Sequence, residues 1–207
     1  MKLKTLDVHN FRKFESQSFA FNPRFNILIG RNASGKTALV DAASLILGVY
    51  QSKVLRRDRA LRGIKPNEAR VVDHRSDDGQ IRREKQFPVA ISAELEYKER
   101  TFVQTCVQNA PTGRTTFGGK TEFSQIAKEE GEKIAKGEPI ILPFLGYYGV
   151  SRATTVYNRV LLSPVESRLD GYVNSLDPRN EFEVVQGWLQ RRTLIQLQKK
   201  TSTFPLS

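Results

Sequence analysis

Asn26-Ile27-Leu28-Ile29-Gly30-Arg31-Asn32-Ala33-Ser34-Gly35-Lys36-Thr37-Ala38-Leu39 decides how the rest of the chain is read. An apolar run ends at a glycine, crosses a short polar turn and re-emerges with helical spacing. Gly30 to Thr37 fit G-x-x-x-x-G-K-[ST], the phosphate-binding P-loop. That motif has physical content only between a strand and a helix. Phe25 to Ile29 supplies the first pattern and Lys36 to Leu47 the second. Glycines at 30 and 35 allow a tight turn whose N–H groups converge on phosphate oxygens at a positive helix N-terminus. In such a loop Lys36 reaches the β- and γ-phosphates and is the candidate catalytic residue, while the Thr37 hydroxyl coordinates Mg2+. Gly30, Arg31, Asn32, Ala33, Ser34, Gly35, Lys36, Thr37 and Ala38 are the candidate ligands of ATP. A glycine-rich αβ turn with a surface lysine is the competing reading, but it gives no reason for Lys and Thr to follow the second glycine.

A chain of 207 residues holds one large domain, or one domain with an inserted lobe. Its hydrophobic content of 39% is ordinary for a packed core. The charge is not balanced: 33 Lys and Arg against 22 Asp and Glu give +11, with a pI near 9.9. Such a surface attracts polyanions, with DNA or RNA first and acidic protein or membrane headgroups behind, unless the charge is spread evenly. The single cysteine, Cys106, excludes an internal disulfide and a cysteine-based zinc site. Two histidines, His9 and His74, leave little for a Ser-His-Asp hydrolase or a histidine-rich metal site. No apolar run approaches the roughly 18 residues of a membrane span, and no leader pattern follows Lys2 and Lys4. The expected location is cytoplasmic, without a membrane partner.

Lys2 to Val8 alternates as a half-buried strand does, Phe19 to Phe21 forms a second, and Arg24 to Ile29 a third after the Asn22-Pro23 turn. The spacing of Ala38, Leu39, Ala42, Ala43 and Ile46 predicts a helix that ends at Gly48, with Asp41 on its polar face. Residues 51–86 form a basic insertion with Lys53, Arg56, Arg57, Arg59, Arg62 and Lys65, then Arg82, Arg83 and Lys85. Arginine at this density suits phosphate contact, and equally a solvated loop. Val89 to Tyr97 and Thr101 to Gln108 predict a β-hairpin joined by Lys98, Glu99 and Arg100. Pro111 to Lys120 reads as a loop, and Thr121 to Lys136 as an amphipathic helix stopped by Gly137 and Pro139. Ile140 to Gly149 reads as a second buried strand. From Glu166 onward the pattern is helical, so the expected units are a lobe over 1–165 and the start of a helical lobe over 166–207.

The order strand, Asn10-Phe11-Arg12-Lys13-Phe14, strand, Phe25 to Thr37, helix resembles the N-terminal lobe of RecF/SMC-type ABC ATPases. Ala33 stands where that group usually has glycine. The resemblance implies an α/β P-loop NTPase fold, the ABC-type ATPase head, with an antiparallel β-lobe. It also implies ATP and Mg2+ as cofactors, and Arg12 and Lys13 as candidate nucleotide contacts, unless they form a solvated turn. Gln104 and Gln108 invite comparison with the Q-loop glutamine of the group, or are plain strand residues. Tyr147-Tyr148-Gly149-Val150-Ser151-Arg152, with Ser167 to Tyr172, Leu176 to Phe182 and Val185 to Arg192, resembles ATP-binding proteins of bacterial defence loci. That group includes the Septu ATPase PtuA and retron-associated ATPases. This implies an HNH-type nuclease partner and action against phage, while the resemblance to RecF/SMC-type ATPases implies a homo-oligomer built as a head-to-head dimer.

An ABC-type site also needs an apolar strand ending in Asp-Glu and a Leu-Ser-x-Gly segment, and neither occurs in these 207 residues. The carboxylate that orients the attacking water is missing with them. The expectation is therefore the N-terminal part of a longer ATPase, with a non-hydrolysing nucleotide-binding regulator and a RecF-type DNA repair ATPase as alternatives. A small-molecule P-loop kinase fits less well, because two strands precede the loop.

Overall fold

The structure is a computed structural model that describes residues 1–56, 61–75, 80–119, 121–149, 168–173 and 175–177, with positions 189, 193, 196 and 197. Its frame is a five-stranded antiparallel sheet in the order β2-β1-β5-β6-β7. β1 (Lys2–Phe11) and β2 (Phe14–Ala20) form a hairpin whose two-residue turn is Arg12-Lys13. β5 (Val89–Tyr97) and β6 (Arg100–Gln108) form the second, in register from Val89 opposite Gln108 to Tyr97 opposite Arg100. The turn between them needs two residues, Lys98 and Glu99, both at positive φ (49° and 60°), which suits the twist of a tight hairpin.

Alternation decides which face of this sheet is covered. Val89, Ile91, Ala93, Leu95 and Tyr97 on β5 and Phe102 and Cys106 on β6 are buried, with Leu6, Val8 and Phe11 of β1 in the same cluster. Helix α1 (Lys36–Val54) lies against them, and α2 (Thr121–Ala135) packs on α1. The helices meet closely because residue 131 is glycine: a Cβ there would stand 2.2 Å from the Val54 carbonyl oxygen. Tyr50 and Tyr97 both donate to the buried Glu130, at 2.5 and 2.8 Å, and Lys98 is ion-paired with the same carboxylate. Burial, and then these bonds, push both phenols above their ordinary value of 10.0.

Several sequence expectations are corrected. Arg24 to Ile29 forms no strand; Phe25, Ile27 and Ile29 are 73%, 68% and 90% exposed. Ile140 to Gly149 is likewise irregular, with Ile141 and Phe144 in solvent and Tyr147 buried. Both runs read as strands from their apolarity, but a strand needs a paired strand beside it, and neither joins a ladder among the described residues; the second has one backbone bond to a distant residue, Tyr147 N to the Ser175 carbonyl at 2.8 Å. Helix α1 continues through Gly48 for six further residues, and a Cβ at that glycine would stand 3.3 Å from Leu61 Cδ1. The loop expected over 111–120 contains β7 (Thr116–Gly119), an edge strand on β6. The basic insertion carries a separate ribbon of β3 (Val71–Arg75) and β4 (Ile81–Lys85). Beyond Glu166, a 3-10 turn at Arg168–Tyr172 is described; most of the expected helical lobe lies outside the described residues.

Candidate functional site

The loop from Gly30 to Gly35 delivers the chain to the N-terminus of α1. Gly35 is the N-cap residue, at φ 98°, and no side chain caps the helix or supplies an acid in its first turn. The first N–H groups of α1 therefore keep their positive end for an external anion. Lys36 folds back across the loop, donating to the carbonyl oxygens of Gly30 (2.7 Å) and Arg31 (2.8 Å) and to Ser34 Oγ (3.4 Å). Glycine is required at 35, and position 30 is crowded by the Ser34 side chain. A Cβ at 30 would meet Ser34 Oγ at 2.7 Å, and one at 35 would meet Phe14 Cζ at 2.6 Å and Lys13 Cδ at 2.8 Å. Ala33 stands at φ 63°, a left-handed conformation that explains why glycine is usual at this position. Arg31, Asn32, Ala33 and Thr37 are exposed, and Ala38 is buried against the core.

These residues fit a nucleotide: the uncapped helix end, the lysine folded over the loop and the glycine required at 35 are what a phosphate cradle calls for. Thr37 stands exposed on the first turn of α1. Among the described residues no group of three or more His, Cys, Asp or Glu side chains could hold a metal by itself.

The turn after β1 lies against the loop. Phe14 and the Lys13 stem press on Gly35, and Lys13 Nζ lies 5.8 Å from the centre of the Phe14 ring. Arg12 points elsewhere. Its Nη2 is 2.5 Å from Asp41 Oδ2 and 2.9 Å from Glu68 Oε1, and Arg62 is ion-paired with the same Glu68 oxygen. Asp41 is not the solvated residue its helical position suggested. It is 7% exposed, and its Oδ1 accepts a hydrogen bond from the Tyr147 hydroxyl at 2.7 Å. Burial, then that bond, raise the Tyr147 pKa above 10.0.

Asp41, Glu68 and Tyr147 are thus site neighbours that the sequence did not announce. One signal was available for Asp41. Between Lys36 and Lys53 it is the single charged residue of α1, so the helix is buried almost all round and a charge within it needs a partner. Gln104 and Gln108 face the core side of β6, and Gln108 Nε2 donates to the Ala110 carbonyl at 3.1 Å; both are built into the lobe as strand residues. Of the basic segment, Arg62 is committed to Glu68, Arg56 lies 3.8 Å from Glu132, and Arg57 and Arg59 fall outside the described residues. Arg82, Arg83 and Lys85 stand exposed on β4.

A phosphate loop opening a buried helix beside an antiparallel lobe defines the class, an α/β P-loop NTPase. The chain belongs to the AAA domain family, whose model matches residues 5–203. It is 43% identical over 70 residues to the DNA double-strand break repair Rad50 ATPase of Pyrococcus abyssi, which covers 34% of this chain and 7% of that protein. It is also 36% identical over 85 residues to the DNA replication and repair protein RecF of Lachnoclostridium phytofermentans, 37% of this chain and 23% of that protein. RecF of Staphylococcus haemolyticus is 50% identical over 42 residues, 20% of this chain and 11% of its own length. The matched parts amount to less than a quarter of each of these relatives. A solved chain from "Structural biochemistry of ATP-driven dimerization and DNA stimulated activation of SMC ATPases" aligns with TM-score 0.42 and 17% identity, covering 69% of this chain and 87% of its own.

Proposed function

We propose that this chain is the ATP-binding lobe of a RecF/SMC-like ATPase. Lys36 is its phosphate-sensing residue, Thr37 its Mg2+ ligand, and Gly30 to Ala38 with Lys13 line the nucleotide. The observation that carries this reading is the loop itself: Lys36 turned onto the Gly30 and Arg31 carbonyls at the uncapped start of α1. Equilibrium titration with Mg-ATP tests it. Saturable binding that disappears in a folded Lys36→Ala variant is the expected result, and binding unchanged by that substitution rejects it.

Within a longer ATPase, nucleotide-dependent head-to-head dimerisation would control an HNH-type nuclease partner or DNA engagement in anti-phage defence. The resemblance of the Tyr147-Tyr148-Gly149 segment to defence ATPases supports this, as do the exposed apolar residues leading into the loop. Loss of phage protection on Lys36→Ala in the intact system is the expected outcome, and retained protection rejects the defence role. DNA contact is assigned to the net charge of +11 and the exposed basic strand β4. Affinity should fall steeply with salt, and less steeply after neutralising Arg82, Arg83 and Lys85.

A second reading, a nucleotide-binding regulator that does not hydrolyse, is favoured by one feature. Among the described residues the buried carboxylates Asp41, Glu68 and Glu130 are all held by arginine, lysine or tyrosine partners, leaving none of them to orient water. Steady ATP turnover by the 207-residue chain, above that of Lys36→Ala, would exclude it.

A further inference from the structure

We propose that Asp41 is a positioning residue of the nucleotide site: acting through Arg12, it sets the Arg12-Lys13 turn against the phosphate loop and leaves Lys13 as the basic side chain that meets the nucleotide. The inference rests on the ATP-binding reading above and reassigns the work within it.

A carboxylate buried in α1 one turn beyond Thr37 is stable only if both oxygens are satisfied. Oδ2 takes the Arg12 guanidinium at 2.5 Å, and Oδ1 takes the Tyr147 hydroxyl at 2.7 Å. The turn it grips has a conformational reason to be held. Asn10 and Arg12 stand at φ 49° and 51°, in the left-handed region that side-chain-bearing residues avoid. Backbone bonds help to fix it: Arg12 N donates to the Glu68 carbonyl at 2.6 Å, and Arg70 N to that of Asn10 at 2.8 Å. Glu68 supplies the second anchor, 2.9 Å from Arg12 Nη2. With the guanidinium fixed between two buried carboxylates, the next two residues meet the loop, Phe14 and the Lys13 stem against Gly35. Lys13 has no ion pair with an acidic residue among those described, and its ammonium is shared only with the Phe14 ring.

The test compares Mg-ATP affinity in the 207-residue chain and in its Asp41→Asn, Arg12→Gln, doubly substituted and Lys13→Gln variants, with circular dichroism to confirm folding. Asp41→Asn and Arg12→Gln are each expected to weaken binding about tenfold, and the double variant no more than either single one. Lys13→Gln should weaken binding comparably without lowering the melting temperature. Asp41→Glu, which keeps the charge, should recover part of the loss. Additive losses, or wild-type affinity in Asp41→Asn beside a defect in Arg12→Gln, overturn the proposal and make Arg12 a direct ligand. If Asp41→Asn does not fold, Tyr147→Phe removes only the bond to Oδ1; binding about threefold weaker supports the proposal, and unchanged binding overturns it. Nucleotide-free hydrogen exchange separates this inference from the reading beneath it. Asp41→Asn should speed exchange at Arg12 to Phe14 and at Ser34 to Lys36 whether or not ATP binds, and unchanged exchange there overturns the positioning role. Absent ATP binding in the unsubstituted chain, or binding indifferent to Lys36→Ala, counts instead against the nucleotide reading.

Discussion

The β5–β6 hairpin hides its apolar side chains beneath α1, whereas Phe25, Ile27 and Ile29 stand in solvent a few residues ahead of the same helix. Both stretches are rich in branched and aromatic residues. They differ in what lies beside them. β5 is hydrogen-bonded on both edges, to β1 and β6, and has a helix on one face, so each inward side chain contributes roughly 1.5 to 3 kcal/mol. Arg24 to Ile29 has neither edge partner nor cover among the described residues, and the same side chains contribute nothing to folding. Apolarity in a sequence is a demand for burial; topology decides whether it is met.

Substitutions can break or sharpen this contrast. Phe102→Ala, at the ring contact with Phe123 (5.2 Å between centroids), is expected to cost about 4 kcal/mol in a denaturant melt. Removing the carboxylate beneath the hairpin, Glu130→Ala, strands the Tyr50 and Tyr97 hydroxyls and the Lys98 ammonium and should cost about 3 kcal/mol. Alkali should attack the same region. Burial pushes the Cys106 thiol from its ordinary 9.0 up to about 12, and burial likewise raises Tyr172 from 10.0 to about 12. Unfolded, these groups release their protons first, so stability is full below about pH 9 and falls as pH rises toward 12. A loss of about 4 kcal/mol between pH 8 and pH 11, made shallower by Cys106→Ala, is the expected profile.

Smaller effects belong to the loop and the exposed run. Ala33→Gly relieves a left-handed alanine and should stabilise the fold by up to about 1 kcal/mol. Ile29→Ser, at a side chain 90% exposed, should change stability by less than about 0.5 kcal/mol while raising solubility. A large destabilisation there would mean that the run is covered after all.

The parts legible in the sequence were those fixed by neighbours in the chain. The loop follows from the spacing of Gly30, Gly35, Lys36 and Thr37, the β5–β6 hairpin from alternation and a short polar turn, and α2 from its apolar face ending at Gly137, here at φ 78°. Features fixed by distant residues were not legible. Asp41 is held by residues 29 positions before it and 106 after it, and Gly48, which does not end α1, lies close to Leu61. Ile140 to Gly149 was misread for the same reason as Arg24 to Ile29, since no sequence pattern states which neighbour a strand will have.

Calorimetric titration of the 207-residue chain with Mg-ATP, beside its Lys36→Ala variant, tests the central claim most directly. The account predicts a single saturable site that is lost in the variant while its circular dichroism and melting temperature stay near those of the unsubstituted chain. An absence of binding by the unsubstituted chain, or equal binding by both, would contradict it.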